Sequence, residues 1–358
     1  MKVGILGGGQ LARMLALAGY PLGLDFVVLE PAEDACAAPL AGHVRAAYDD
    51  PRALEELAGR VNLVTYEFES VPAGAVEQLG ASLPVYPPAN ALATARDRNN
   101  EKNLFNELGI ETAPFAEVHD LVGLKQAVER VGLPAILKTR TLGYDGKGQQ
   151  VIRPGDKLEA AWKAVGQVPC VLEGFVDFDR EVSIIAVRSL SGELAFYPLA
   201  ENVHKDGILR LSTCLHEDSH QLLAEDYARR VLEHLDYVGV LAIEFFQVGE
   251  RLLANEMAPR VHNSGHWTIE GAQTSQFENH LRAILDLPLG STAPQGYTAM
   301  VNLIGELPDV ETILSVENAH LHLYGKAPRQ GRKIGHVTLR AETPEGLRSA
   351  LKALNKAL

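Results

Sequence analysis

The chain has 358 residues, of which 46% are hydrophobic and 22% are charged, a composition typical of globular proteins and a length sufficient for two or three domains. The formal net charge of −13 disfavours a nucleic-acid partner, so any phosphate site has to be locally basic. Three widely spaced cysteines without metal-ligand spacing are typical of a reducing compartment. Because the sequence contains neither an apolar run of ~18 residues nor a cleavable signal, we expect a soluble cytoplasmic protein without a membrane partner.

Predicted strands and helices alternate in the first part of the chain, which favours a parallel αβ layer up to about residue 90. Its strands are predicted over residues 2–6, 26–30 and 61–66, with a helix over residues 11–18. One helix is then predicted over residues 91–108. A small separable lid follows, with strands and helices over residues 121–131, 135–139, 149–153, 157–165 and 171–175. From Glu181 onward the pattern predicts mainly antiparallel strands with helices.

Two glutamates on a predicted β-hairpin indicate a metal site. Glu244 and Glu256 lie on apolar runs, residues 238–247 and 251–257, that flank a short break containing Gly249. This pattern places the carboxylates opposite or nearly opposite each other, where like charges destabilise a sheet unless a cation lies between them. Such a pair suits Mg²⁺ that is bound together with substrate phosphates. The alternative is two unrelated solvent-facing glutamates on an edge hairpin.

A dense group of polar side chains follows the hairpin. Residues 255–268 contain helix and strand breakers and cannot form a regular buried element. A polar loop at the end of a strand is where binding groups concentrate. Arg260 has the geometry to bind a phosphate or a carboxylate through two hydrogen bonds, and His262 and Asn263 add further hydrogen-bonding groups. A buried core histidine is the alternative interpretation of His262.

The first of two glycine-rich loops lies between the first predicted strand and helix. Its free N–H groups, at Gly7, Gly8 and Gly9, suit an anion at a helix N-terminus. Glu30 follows at about the spacing that dinucleotide-binding folds use for a ribose, but Ala12 stands where the third glycine of that motif belongs. The loop therefore indicates an anion site and leaves NAD binding as an alternative.

The second glycine-rich loop links two predicted strands of the lid. Gly143, Gly146 and Gly148 allow the backbone to approach phosphate oxygens closely, and Lys138 on the preceding strand offers a positive charge. The alternative is a mobile surface loop rich in glycine and lysine. A glycine-rich cover that faces a two-carboxylate metal site is the arrangement expected for nucleotide-dependent phosphoryl transfer.

Together these features resemble the ATP-grasp superfamily, and more narrowly the 5-(carboxyamino)imidazole ribonucleotide synthetases, which are ATP-dependent carboxylases of purine biosynthesis. The resemblance covers essentially the whole chain. The matching motifs are Gly7-Gly8-Gly9-Gln10-Leu11, Tyr144-Asp145-Gly146-Lys147-Gly148-Gln149, Phe178-Asp179-Arg180-Glu181-Val182-Ser183, Glu201-Asn202-Val203-His204 and residues 255–268, 275–281 and 331–336.

The resemblance implies an α/β and α+β multidomain fold, in which an N-terminal parallel αβ (pre-ATP-grasp) domain precedes an ATP-grasp fold with a small lid domain. We expect the N-terminal domain over residues 1–95 and a linker helix with the lid over residues 96–180. Residues 181–358 would carry the metal site and the C-terminal substrate residues. The resemblance also implies a homodimer.

The resemblance further implies a set of site residues. Those for ATP are Arg98, Lys138, Gly143, Tyr144, Asp145, Gly146, Lys147, Gly148, Gln149, Glu173, Gly174, Phe175, Val176, Glu181, His204, Asn255 and Glu256. Glu244 and Glu256 would hold Mg²⁺ or Mn²⁺. Those for the ribonucleotide are Gly8, Gly9, Gln10, Leu11, Glu67, Glu69, Tyr144, Lys333 and Arg340. Catalytic roles fall to Asp145, Arg260, His262, Asn263 and Lys333.

The implied reaction joins bicarbonate to 5-aminoimidazole ribonucleotide, with ATP converted to ADP and phosphate through carboxyphosphate. Another ATP-grasp ligase, such as a formate-dependent glycinamide ribonucleotide transformylase or a biotin carboxylase, would share the ATP half of the site. An NAD-dependent oxidoreductase would rest on the first glycine loop and Glu30 alone. A non-catalytic nucleotide-binding regulator is the remaining alternative, and the two candidate metal ligands argue against it.

Overall fold

The N-terminal part of the computed structural model forms a four-stranded parallel sheet. The structure describes residues 1–141, 143 and 147–358, so Tyr144, Asp145 and Gly146, three predicted site residues, lie outside the described residues. The strands follow the order β3-β2-β1-β4. Their bounds and those of the accompanying helices are β1 (Lys2–Leu6), α1 (Gln10–Gly19), β2 (Asp25–Leu29), β3 (Gly42–Val44), α2 (Pro51–Ala58), β4 (Leu63–Tyr66) and α3 (Ala73–Gly80). The predicted parallel layer is confirmed.

Two helices connect this layer to the next sheet, α4 (Ala89–Ala95) and α5 (Arg98–Glu107). The prediction of one helix over residues 91–108 is therefore wrong. Asp97 has an extended backbone, and its carboxylate accepts hydrogen bonds from the N–H groups of Asn99 and Asn100. An aspartate in this conformation begins a new helix, because it satisfies N–H groups that have no partner within the helix.

The lid forms a four-stranded antiparallel sheet in the order β5-β8-β6-β7. Its elements are β5 (Phe115–Val118), α6 (Leu121–Val131), β6 (Ala135–Thr139), β7 (Gln149–Ile152), α7 (Leu158–Ala164) and β8 (Cys170–Gly174). The sheet and its helices enclose a core of their own, which includes Leu124, Leu137 and Trp162. The second glycine-rich loop connects β6 to β7, as the sequence predicts. The predicted domain boundaries at residues 95 and 180 remain predictions.

The largest sheet is antiparallel and follows the order β14-β13-β9-β11-β12-β15-β17-β16, with β10 paired to β9. Its elements are β9 (Arg180–Arg188), β10 (Leu194–Phe196), β11 (Ala200–Lys205), β12 (Ile208–Cys214), α8 (Gln221–His234), β13 (Gly239–Val248), β14 (Arg251–Ala258), α9 (Thr268–Gly271), α10 (Gln276–Ile284), β15 (Tyr297–Ile304), α11 (Val310–Leu314), β16 (Ala319–Leu323), β17 (Lys333–Ala341) and α12 (Pro344–Ala357).

Two hydrophobic cores lie on opposite faces of β9 and position the site. Alternate residues of a strand point to opposite faces, so Ile185 packs in the core shared with α1 and α10, while Ile184 packs in the core shared with α8. The first of these cores joins the N-terminal layer to the large sheet. In the part of the chain that the structure describes, no helix combines the length and the apolar composition that crossing a membrane requires.

Candidate active site

The predicted hairpin is formed by β13 and β14, and Glu244 lies directly opposite Glu256 in its register. Gly249 occupies the turn with a φ of +56°, in the left-handed region that glycine adopts without strain. A bulge follows Glu244, where the register shifts before Phe245. The prediction that the two glutamates lie opposite or nearly opposite each other on one face of a hairpin is confirmed, because the apolar runs and the glycine fix both the strands and the turn.

The two carboxylates have different electrostatic surroundings. Burial raises the pKa of Glu244, and the charge of Glu256 raises it further. Burial would also raise the pKa of Glu256, but the charges of Arg98 and Lys138 outweigh it and lower that pKa. Arg98, the first residue of α5, contacts Glu256 at 2.9 Å. Glu256 therefore stays ionised, and Glu244 is the carboxylate that a bound cation would stabilise.

The candidate metal ligands suit Mg²⁺ better than they suit a metal ion that is coordinated only by protein groups. Among the described residues, no group of three or more His, Cys, Asp or Glu side chains is arranged to hold a metal ion. Two carboxylates that face each other are sufficient for Mg²⁺, which takes its other ligands from water and substrate phosphates. Glu244 and Glu256 meet that requirement.

Lys138 lies beside the hairpin in a buried cluster of charges. Its Nζ donates to Glu173 Oε2 at 2.8 Å and lies 3.5 Å from Asn255 Oδ1. Lys102 of α5 reaches the same carboxylate oxygen at 3.3 Å and the backbone oxygen of Asn255 at 3.3 Å. Burial would raise the pKa of Glu173, but the two lysines outweigh it and lower that pKa to about 2.

Glu101 and Lys102 belong to this cluster and were missed by the sequence analysis. Glu101 accepts a hydrogen bond from the N–H of Met257 at 2.6 Å, and burial raises its pKa to about 8. Burial lowers the pKa of Lys102, while the charge of Glu173 opposes this effect. In sequence, these residues belong to a highly polar helix that suggests a solvated face. The sequence contained one usable signal, the N-cap residue Asp97. The position at which α5 begins determines which of its residues lie on the same face of the helix.

Glu181 and His204 face each other on the adjacent strands β9 and β11. His204 Nδ1 contacts a carboxylate oxygen of Glu181. Burial would lower the pKa of His204, but the contact with Glu181 and the charge of Glu244 raise it. The predicted ATP residues Glu181 and His204 thus lie within electrostatic range of the hairpin glutamates.

The polar loop after β14 packs against the N-terminal layer. Arg260 Nη2 donates to Glu69, and Arg260 Nη1 donates to the backbone oxygen of Val261 at 3.1 Å. His262 Nε2 lies 3.6 Å from Glu244 Oε1. Burial and the charge of Arg260 hold the pKa of His262 well below its usual value, so its imidazole is neutral near pH 7. The loop therefore places a neutral imidazole beside the candidate metal site, while the neighbouring guanidinium group pairs with Glu69.

Asn263 is held in a reciprocal pair with a residue of the large sheet. Its Nδ2 donates to Asn302 Oδ1 at 3.1 Å, and Asn302 Nδ2 donates back at 2.7 Å. Asn302 also donates to the backbone oxygen of Leu209 at 2.9 Å. These bonds fix the orientation of Asn263.

Carboxylates occupy the N–H groups of the first glycine loop. The N–H of Gly8 donates to Glu30 at 3.0 Å, and those of Gly9 and Ala12 donate to Glu67. The expectation that the N–H groups of Gly8 and Gly9 are free is therefore wrong. Helix N-termini attract negative charge, and here the protein supplies it from its own side chains. Because Glu30 binds the N–H of Gly8 within the fold, it no longer supports the prediction of an NAD site.

The structure shows what surrounds three further predicted positions. Leu11 is buried in the core shared with α10. Glu67 is bound to the glycine loop and Glu69 to Arg260, and the contact of either carboxylate with a ribose stays a prediction. Gln10 does face the C-terminal part of the chain, because Lys326 Nζ donates to its side-chain oxygen.

Lys333 and Arg340 do not converge, and that prediction is wrong for Arg340. Both lie on β17, seven residues apart, which corresponds to about 23 Å along an extended strand. Arg340 donates to Gln295 Oε1 at 3.2 Å near the opposite end. Lys333 is close enough to Glu244 and Lys326 for its charge to affect their pKa values. Lys326, which the sequence analysis missed, is another basic residue of this region, and the charge of Arg332 also acts on it.

The remaining predicted ATP residues lie on the lid. Gly143 lies in the loop after β6, and Lys147 and Gly148 precede β7, which begins at Gln149. The backbone oxygen of Gly148 accepts from the N–H of Thr139 at 2.8 Å. Gly174 ends β8, and Phe175 and Val176 follow it. Phe175 is half exposed, and its N–H donates to the backbone oxygen of Pro134 at 3.0 Å. These residues border the cluster around Lys138 and Glu173.

A parallel N-terminal layer, a lid with a glycine-rich loop and a hairpin with paired glutamates define an ATP-grasp enzyme, which is an ATP-dependent ligase. Three family models match the chain: a ribonucleotide synthetase preATP-grasp domain over residues 1–96, an ATP-grasp domain over residues 103–277 and a phosphoribosylaminoimidazole carboxylase C-terminal domain over residues 298–350. The chain belongs to the N5-carboxyaminoimidazole ribonucleotide synthase family.

Individual relatives agree with this assignment. The chain is 59% identical over 340 residues to the N5-carboxyaminoimidazole ribonucleotide synthase of Pseudomonas aeruginosa, a match that covers 95% of this chain and 94% of the relative. The synthetase structure from Thermus thermophilus matches with a TM-score of 0.95 and 57% identity, covering 99% and 98% of the two chains. The synthase structure from Aspergillus clavatus in complex with ADP and 5-aminoimidazole ribonucleotide has a TM-score of 0.91, 32% identity and coverage of 99% and 98%.

Proposed function

We propose that the chain carboxylates 5-aminoimidazole ribonucleotide with bicarbonate and consumes ATP, which becomes ADP and phosphate. The observation that carries this proposal is the position of Arg260 and His262 directly after the Glu256 strand, so that an anion-binding loop adjoins the candidate ATP and metal site. In the reaction, a bicarbonate oxygen attacks the γ-phosphorus and the bond to ADP breaks. The ribonucleotide amine then attacks the carboxyl carbon, loses a proton and releases phosphate.

The charge balance of the buried cluster supports the ATP half of this proposal. Arg98, Lys102 and Lys138 face the carboxylates of Glu173 and Glu256, and burial raises the pKa of the neighbouring Glu101. The excess of cations suits a polyphosphate. Mg²⁺ held by Glu244 and Glu256 would offset the negative charge of the phosphate oxygens.

Arg260, His262 and Asn263 are proposed to position bicarbonate. A hydrogen bond to Glu69 orients Arg260, and hydrogen bonds with Asn302 orient Asn263. His262 is neutral, so its ring offers one hydrogen-bond donor and one acceptor. Fixed donors around a developing charge stabilise it without reorganisation during the reaction.

Gln10, Lys326 and Lys333 are proposed to bind the ribonucleotide, with Lys326 and Lys333 at its phosphate. Lys326 is linked to Gln10 of the first glycine loop, and its charge acts on Glu67. We further propose Mg²⁺ as the metal, a homodimer and a cytoplasmic location.

The test measures ADP release with ¹⁸O-labelled bicarbonate. ADP release should require bicarbonate and increase strongly with 5-aminoimidazole ribonucleotide, and ¹⁸O should appear in the released phosphate because carboxyphosphate transfers one bicarbonate oxygen to phosphorus. Activity with formate in place of bicarbonate, or phosphate that never carries label, would contradict the proposal and favour a formate-dependent transformylase.

A further inference from the structure

Lys102 is a fully buried lysine to which the proposed reaction assigns no contact with substrate. It lies on α5, outside the lid, and its Nζ is 3.3 Å from Glu173 Oε2 on the lid strand β8. It also donates to the backbone oxygen of Asn255 on β14 at 3.3 Å. A buried lysine requires a partner, because removing an ammonium group from water is costly. Lys102 therefore links the lid, α5 and the strand that carries Glu256.

Glu173 shares one carboxylate oxygen between two ammonium groups. Lys138 contacts this oxygen at 2.8 Å and Lys102 at 3.3 Å. The other oxygen of Glu173 is buried and has no hydrogen-bond partner among the described residues. Both lysines thus compete for the same site on the carboxylate, although a second oxygen is present.

This sharing matters because the single positive charge of Lys138 attracts a phosphate less strongly when Glu173 neutralises it. If Lys138 were the sole partner of Glu173, its movement to a phosphate would leave a buried carboxylate without a counter-ion. An unpaired buried charge of this kind is strongly destabilising. With Lys102 in place, Glu173 keeps a counter-ion when Lys138 turns away.

We propose that Lys102 is a positioning residue that retains Glu173 as a partner and so releases Lys138 for the phosphates of ATP. The proposal rests on the proposed role of Lys138 in ATP binding. Lys102 does not touch the nucleotide in this arrangement, and its effect passes through Glu173.

Lys102→Met should weaken the binding of ADP and raise the KM for ATP by at least about tenfold, equal to ~1.4 kcal/mol, because Lys138 remains held by Glu173. The KM for 5-aminoimidazole ribonucleotide should change little. Lys102→Arg keeps the charge and should stay close to the parent protein in ADP affinity. The double variant Lys102→Met/Glu173→Gln replaces the carboxylate with a neutral amide, releases Lys138 and should recover most of the lost ADP affinity.

A purely structural role for Lys102 gives different results. In that case ADP affinity would be unchanged in Lys102→Met, or the double variant would bind ADP no better than Lys102→Met, and either outcome overturns the proposal. If Lys102→Met does not fold, Lys102→Gln takes its place, with Lys102→Gln/Glu173→Gln as its double variant. Lys102→Gln should lose ADP affinity about tenfold and its double variant should regain most of it, and unchanged ADP affinity in Lys102→Gln contradicts the proposal. Because calorimetry with ADP requires neither bicarbonate nor ribonucleotide, its outcome is independent of the proposed carboxylation.

Discussion

Glu244 and Glu256 are register partners on adjacent strands, but their carboxylates contact different basic side chains. Arg98 Nη1 contacts Glu256 at 2.9 Å, whereas His262 Nε2, which is neutral near pH 7, lies 3.6 Å from Glu244. Equivalent changes at the two positions should therefore have different consequences.

Glu244→Gln should stabilise the metal-free protein, because it removes a like charge opposite Glu256, and we expect the Tm in EDTA to rise by about 2 °C. The same change should lower Mg²⁺-dependent ADP release. Glu256→Gln should abolish turnover and lower the Tm, since Arg98 loses its charged partner. Thermal unfolding with and without Mg²⁺ tests both variants. Equal Tm changes in EDTA would contradict the difference between the two carboxylates.

Lys326→Ala and Lys333→Ala should each raise the KM for 5-aminoimidazole ribonucleotide roughly tenfold to a hundredfold, the loss expected when a charge-assisted hydrogen bond of ~1.5–3 kcal/mol is removed. The KM for ATP should stay nearly constant. Arg340→Ala is the matched control on the far end of β17 and should leave both KM values unchanged. A comparable effect at Arg340, or an equal rise in the KM for ATP, would reject this placement of the substrate phosphate.

Arg260→Ala should raise the KM for bicarbonate about tenfold or more and suppress the transfer of ¹⁸O to phosphate, because a charged donor to a small anion is lost. Glu69→Gln keeps a hydrogen-bond acceptor for Arg260 but removes the charge, so its effect on bicarbonate should be smaller. ADP affinity, measured by calorimetry, should be unaltered in both variants. If Arg260→Ala weakens ADP binding as much as bicarbonate binding, Arg260 belongs to the nucleotide site.

His280 should make the protein less stable in acid. Burial lowers its pKa from 6.5 to about 3, and its ring accepts from the N–H of Val240 at 3.1 Å and contacts Thr65 at 2.9 Å. Because the unfolded chain binds this proton below pH 6.5 and the folded protein does not, the free energy of unfolding falls as the pH drops from 6.5 toward 3, by up to ~1.4 kcal/mol per pH unit. His280→Gln should reduce that slope by about one proton between pH 6 and 5, measured by urea unfolding. An unchanged slope would show that His280 is protonated in the fold.

The sequence predicted correctly those elements that depend on residues close together in the chain. The hairpin that carries Glu244 and Glu256 was predicted because two apolar runs and the glycine between them fix strands and turn together. The two strands around the second glycine loop were predicted for the same reason, with Lys138 on the first of them. These features depend on contacts close in the chain.

Distant contacts explain what the sequence did not reveal. Lys102 is buried because β8 and β14 reach α5 from far along the chain, and helix propensity alone does not distinguish that face from a solvated one. Glu67 becomes a partner of the glycine loop because β1 and β4 are adjacent in a parallel sheet. Arg340 was grouped with Lys333 because of the family resemblance, but seven residues along an extended strand separate the two in space.

The carboxylate of Glu67, bound to the N–H groups of Gly9 and Ala12, behaves as a tethered competitor for any anion that approaches the first glycine loop. Tethering gives it a high effective concentration at those donors, whatever the composition of the surrounding solution. Inorganic phosphate, which the proposed reaction releases, would have to displace it. The loop is thereby protected from occupation by free phosphate, and a ligand gains access only if its other contacts compensate for the displaced carboxylate.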